Sequence, residues 1–189
     1  MKITIILVVS IFLITFVSIS SLSAQSFASE GTWEIGGNIS YTSTTSVSNG
    51  ETSENSLGVF SLDVPFYYFV IDGLELGIIP SYQNFSSGGS SASLLNILFG
   101  TAYNIKTNSS AYPFIEGRIG YNTTNNGTTR TGIVWAIIGG VKAQVGSNAL
   151  INFGISYTQS TLNSENQEGG RSGTNVIGGQ VGFTVFFGK

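Results

Sequence analysis

From Thr174 to Lys189 apolar side chains recur at every second position. Ile177, Val181, Phe183, Val185 and Phe187 fall on one face, with Gly179 as the gap, and Val176, Gly178, Gln180, Gly182, Thr184 and Phe186 fall on the other. Successive side chains of a strand point to opposite faces. The spacing therefore predicts a strand with one greasy face, one small and partly polar face, and an aromatic end. The same alternation recurs seven more times upstream, with turns between.

In chain order the predicted strands are Thr32–Ser43, Ser56–Val70, Leu74–Phe85, Ser91–Ile105, Ala111–Thr123, Thr131–Val145, Ala149–Leu162 and Thr174–Lys189. Asp72-Gly73 supplies the left-handed geometry of a tight hairpin. Lys106–Ser110 and Gly146–Asn148 read as short turns. Ser86–Ser90 and Thr124–Arg130 read as polar loops. Thr44–Asn55 and Asn163–Gly173 read as long exposed loops, rich in Ser, Thr, Asn and Gly. Pro65 and Pro80 each remove a ladder donor, so a bulge or bend is expected beside them. Ile35-Gly36-Gly37, Ile138-Gly139-Gly140 and Ile177-Gly178-Gly179 place paired glycines inside strands, which a small barrel uses for strong coiling.

Eight alternating segments with short and long connections in turn predict an all-β fold, an eight-stranded antiparallel up-and-down transmembrane β-barrel. Composition supports lipid as its solvent. Only 9% of residues are charged and the mean hydropathy is +0.26, against about 25% charge in ordinary soluble domains. Past residue 20 no run approaches the ~20 apolar residues of a membrane helix. The rival is a soluble lipocalin-like ligand-binding barrel. Its greasy faces would point inward and its exterior would need more charge than this chain has. Aromatics also mark both ends of the outward faces: Trp33, Tyr68, Tyr103 and Phe187 at one end, Tyr41, Phe60, Tyr82, Tyr121, Trp135 and Tyr157 at the other. Trp33 to Tyr41 spans roughly 20 Å at the usual rise and tilt, close to the about 25 Å of a barrel's apolar band.

Ahead of the barrel, Met1-Lys2 is followed by the apolar run Ile3–Ile19 and then by Ser20-Ser21-Leu22-Ser23-Ala24. A positive start, a short apolar run and a small-residue exit describe a secretory signal peptide over 1–24. Cleavage is expected after Ala24, with Ala28 as the second candidate. A short segment, 25–31, then leads into the barrel at 32–189.

The same register turns the strand charges inward: Glu34, Asp63, Glu75, Glu116, Arg118 and Lys142. An outward Arg or Lys at mid-membrane costs ~2–4 kcal/mol, and a one-residue slip would put a whole set of charges there. An eight-stranded interior is just wide enough for its side chains to fill it. A lumen network of ion pairs is expected, with Arg118 at its centre and four acids facing two bases.

The leader, the eight strands and the aromatic final strand give the mature chain a resemblance to small outer-membrane barrels of the OmpA and OmpX type, the outer-membrane beta-barrel domain family. The resemblance implies the outer membrane of a Gram-negative bacterium, a monomer in outer-membrane lipid, and the barrel-assembly machinery as a partner during biogenesis. Those proteins usually end on an aromatic residue; here Gly188-Lys189 follows Phe187.

Function is less sharply written. The chain has no histidine and no cysteine, so Ser–His–acid and thiol chemistry have no base or nucleophile, and thiolate metal sites and disulfides are absent. No cofactor, metal site or catalysis is expected. The net charge of −3 without a basic patch argues against nucleic acid. Two readings remain. One is a structural or surface-exposed barrel whose loops 44–55 and 163–173 engage an extracellular partner through Glu51, Glu54, Glu165, Glu168 and Arg171. The other is a narrow channel for water, ions or small solutes.

Overall fold

The computed structural model describes residues 27–48, 51–125, 129–163 and 171–188. The predicted leader thus lies outside the described residues. Nine strand segments form one antiparallel sheet: β1 (Trp33–Ser48), β2 (Glu51–Asp63), β3 (Phe66–Ile71), β4 (Leu74–Ser87), β5 (Ser90–Asn104), β6 (Ala111–Asn125), β7 (Thr129–Gln144), β8 (Ala149–Asn163) and β9 (Arg171–Phe187). They make eight staves, because β2 and β3 are one stave interrupted at Val64-Pro65. Register runs unbroken across the gap: Asn38 faces Asp63 and Trp33 faces Tyr68 on one side, and Ser81 faces Asp63 and Ile78 faces Phe66 on the other. The sheet closes where β1 pairs β9, from Trp33↔Phe187 to Ser40↔Gln180.

Alternation dictates which side each residue takes. On β5 Leu94, Asn96, Leu98, Gly100, Ala102 and Asn104 are buried, while Leu95, Ile97, Phe99, Thr101 and Tyr103 are exposed. The exposed set is oily on every stave: Leu95 is 66% exposed, Ile119 60%, Ile155 70% and Ile177 69%. A soluble monomer rarely exposes an apolar patch of more than a few hundred Å², whereas here the apolar surface encircles the molecule. Acyl chains suit this surface and water does not. The lipocalin-like alternative is overturned, since it needs these faces turned inward.

Several expectations need correction, and the predicted loops Ser86–Ser90 and Thr124–Arg130 also shorten, to the residues between the pairs Ser87↔Ser90 and Asn125↔Thr129. The predicted loop Thr44–Asn55 is largely strand: β1 runs on to Ser48 and β2 starts at Glu51, with a register shift between Thr45 and Val47. The predicted loop 163–173 shrinks likewise, because β8 reaches Asn163 and β9 starts at Arg171, and these two residues are paired. Thr, Ser and Asn signal turns by composition, but Thr is also a good strand former, and a ladder already started favours its own extension. Beside Pro65 the stave is interrupted but keeps its register, and at Pro80 there is no irregularity; the register shift lies between Phe69 and Ile71, beside the Asp72-Gly73 turn. Pro80 sits in an unbroken ladder opposite Ile97.

Apart from β3, the lower part of the second stave, the strands have 13 to 17 residues and exceed the ~9–11 residues needed to cross a bilayer. The surplus lies at the hairpin end, above Tyr41, Phe60, Tyr82 and Tyr121. The opposite end carries the short connections and can be called the turn end. There residues 27–32 fold across the mouth. The Gly31 N–H donates to the Phe69 carbonyl at 2.9 Å, the Phe69 N–H to the Thr32 carbonyl at 2.9 Å, and the Gly73 N–H to the Ala28 carbonyl at 2.9 Å.

Candidate functional site

The lumen is where the structure concentrates its polar chemistry, and it is layered. At the turn end Phe27, Ala28, Phe69, Leu150 and Phe186 form a fully buried cluster, with Tyr112 against it. The Phe27 ring stands edge-on to Phe69 (5.3 Å) and Tyr112 (4.9 Å) and tilted against Phe186 (5.2 Å).

Above this base lies the first ion cluster. Lys142 on β7 donates to both carboxylate oxygens of Glu34 on β1 at 2.7 Å and to Glu75 on β4 at 2.9 Å. The Asn104 amide donates a second bond to Glu75 at 2.9 Å. The Lys142 ammonium also faces two aromatic rings, 5.2 Å from the centroid of Phe27 and 5.4 Å from that of Phe114, a favourable arrangement for a cation. Nearby, Asn152 donates to the Thr184 hydroxyl at 2.6 Å.

The second cluster is built on Arg118 of β6. Its guanidinium reaches Asp63 through Nη1 and Glu116 through Nε, both at 2.5 Å. The Tyr67 hydroxyl donates to the same Glu116 carboxylate. Glu116 and Arg118 are two apart on one strand, so alternation points both inward. Three of these groups are almost wholly buried, and Asp63 is 14% exposed.

The structure therefore brings all six charges predicted to face inward into the lumen, but not around one centre. Arg118 serves Asp63 and Glu116, while Lys142 serves Glu34 and Glu75. Each cation takes two carboxylates, and each acid has at least one cationic partner. Tyr67 shares the inward parity of Asp63 and completes the second cluster, and Asn104 shares that of Ala102 and supports Glu75. Phe27 was missed because it precedes the first alternating run, where parity has nothing to act on.

Apolar side chains pack among the charges, with Phe114, Ala136 and Ile138 in one buried cluster level with Glu116 and Arg118, and Tyr67, Ile79, Leu98 and Val134 in another. A chamber of about 30 Å³ follows towards the hairpin end. Ser40, Ser61, Gln83, Ser156 and Thr158 are among the residues that line it, and it has room for about two waters. The space around the two ion clusters is only about 10 Å³, the lower limit for one water. A concavity of about 840 Å³ lies outside the lumen, a trough on the oily outer wall bounded by Trp33, Tyr68, Phe99, Gly117 and Trp135.

Among the described residues no cluster of three or more His, Cys, Asp or Glu could hold a metal. The backbones of Glu51, Glu54 and Arg171 lie in β2 and β9, while their side chains, with Glu165 and Glu168, lie outside the described residues.

No protein-family model and no curated protein matches the chain. Solved structures do. The outer membrane protein OprG from Pseudomonas aeruginosa is similar over 85% of this chain and 98% of that one, with 16% identity and a TM-score of 0.51. Neisserial surface protein A is similar over 84% of this chain and 98% of that one, with 19% identity and a TM-score of 0.55. At these identities the likeness is one of fold: the chain has the architecture of small outer-membrane barrels.

Proposed function

We propose that this is a non-catalytic integral protein of the outer membrane of a Gram-negative bacterium, a closed barrel that holds its long hairpins on the cell surface and does not conduct. The observation that carries the reading is the filled lumen. An aromatic base, two ion clusters and the apolar side chains packed among them fill the interior, with space for one water at most around the charges. A pore needs a continuous wet path, and ions leave bulk water only where polar groups replace their hydration. The likeness of fold to an outer membrane protein and a surface protein adds support, as does a chain with neither histidine nor cysteine.

In this reading the turn end faces the periplasm and the hairpin end the exterior. Outer-membrane lipid surrounds the oily wall, and the barrel-assembly machinery inserts it as a monomer. An extracellular partner would meet the hairpin tips, where Glu51, Glu54, Glu165, Glu168 and Arg171 supply the charge. Two measurements test it. Refolded protein that shows heat-modifiable gel mobility should give silent planar-bilayer recordings, and protease added to intact cells should cut only at the hairpin tips. Steady conductance from the heat-modifiable species would overturn the non-conducting reading.

A further inference from the structure

We propose that the maturation cut lies on the amino-terminal side of Phe27, at the Ala24–Gln25 bond, and that the retained Phe27 is the stopper of the periplasmic mouth. The sequence offers two small-residue exits, Ala24 and Ala28, and the barrel distinguishes them. Both Phe27 and Ala28 have 0% exposure. Phe27 fills the space among Phe69, Tyr112, Leu150 and Phe186 and lies against the Lys142 ammonium. Ala28 adopts a φ of 63°, a region L-residues seldom visit. It is held there by the bond from the Gly73 N–H to its carbonyl. Residues 29–31 add Glu30, whose N–H donates to Asp72 at 2.9 Å, and Ser29, whose hydroxyl accepts from Lys106 at 3.4 Å.

A cut after Ala28 would remove the fully buried Phe27 and Ala28 and leave Ser29 to Thr32. The Gly73 N–H would lose its acceptor, and a new ammonium at Ser29 would stand where an amide was. A void of phenylalanine size would open beneath Lys142, Glu34 and Glu75, admitting water to the first ion cluster. A cut after Ala24 leaves every one of these contacts intact. The reaction is hydrolysis by a leader peptidase. Water adds across the Ala24–Gln25 amide, its hydroxyl going to the Ala24 carbonyl carbon, which becomes the leader's carboxylate. The nitrogen takes the proton and becomes the amino terminus of Gln25.

The inference rests on export of the chain to the outer membrane, and intact mass of the detergent-extracted protein separates the two. A chain beginning at Gln25, with or without loss of ammonia from the terminal glutamine, is the expected result. A chain beginning at Ser29 would overturn the inference and leave the barrel reading standing; one still carrying Met1 would overturn both. A second measurement tests the stopper itself. Two chains, one starting at Gln25 and one at Ser29, are refolded in detergent and treated with a water-soluble amine-acylating reagent. Lys106, exposed on a turn, should react in both and serves as the control. Lys142 should stay unmodified in the first and react in the second. Equal reaction of Lys142 in the two barrels would show that Phe27 seals nothing.

Discussion

The Lys142 ammonium stands 2.7 Å from both oxygens of the Glu34 carboxylate, 108 residues away in the chain. β1 and β7 are not ladder neighbours, so the pair is a tie across the cylinder. With Glu75 on β4 it connects three staves that no backbone hydrogen bond joins directly. Cutting the tie on one side strands charge. Lys142→Met should destabilise the barrel by about 3–5 kcal/mol, since two buried carboxylates lose their cation. Adding Glu34→Gln and Glu75→Gln should recover much of the loss. Urea titration followed by heat-modifiable gel mobility reads both.

Adjacent glycines on β7 should answer oppositely to the same methyl group. A Cβ on Gly140 would meet the Phe153 carbonyl oxygen at 2.1 Å and the Gly154 Cα at 2.8 Å, both backbone, whereas one on Gly139 meets nothing within 4 Å. Gly140→Ala should cost about 1–3 kcal/mol through forced backbone shifts. Gly139→Ala should be neutral or stabilise by up to about 1 kcal/mol by restricting the unfolded chain. The reverse order of effects in the same urea titration would mean that the inward and outward faces of β7 have been exchanged.

Ile119 is 60% exposed on the outward face of β6, between Ile115 and Tyr121. Ile119→Arg should cost ~2–4 kcal/mol in a bilayer, and much less in a short-chain detergent that lets water reach the guanidinium. Comparing unfolding in the two media checks that this face meets lipid.

Outside the membrane, Asp72 and Lys106 pair at 2.8 Å on neighbouring turns. The hydrogen bond from Lys106, helped by the Glu30 N–H, holds the Asp72 carboxyl below the ordinary carboxylate range. A depressed pKa in the folded state means that the pair contributes above the ordinary carboxylate value of about 4. The contribution is lost as pH falls through the lowered one. Asp72→Asn should therefore lower stability slightly at neutral pH and make no difference in strong acid. A carbon-detected titration of the Asp72 carboxyl should report a midpoint below that of a free aspartate.

The stave count and closed topology were legible because a two-residue period is the strongest signal a strand can leave, and eight repeats of it reinforce one another. The inward charges were legible for the same reason: Glu116 and Arg118, two apart, share a parity with Phe114 and Gly120. Partner choice was not. Lys142 finds Glu34 and Glu75 through the stagger of strands around the cylinder, which depends on pairing register and leaves no trace in any single segment. The rim was misread because Ser, Thr and Asn mark turns by composition, yet a hairpin already zipped below them carries Thr44 and Thr45 along as strand. Phe27 was invisible to alternation, standing alone before it begins.

The berth of Phe27 has a consequence for the order of events. Its ring rests on side chains from β3, β6, β8 and β9, and no two neighbouring strands supply that nest between them. It exists only after the final strand has met the first. The end of the chain that is synthesised earliest is thus among the last to come to rest, and its arrival dates the completion of the cylinder.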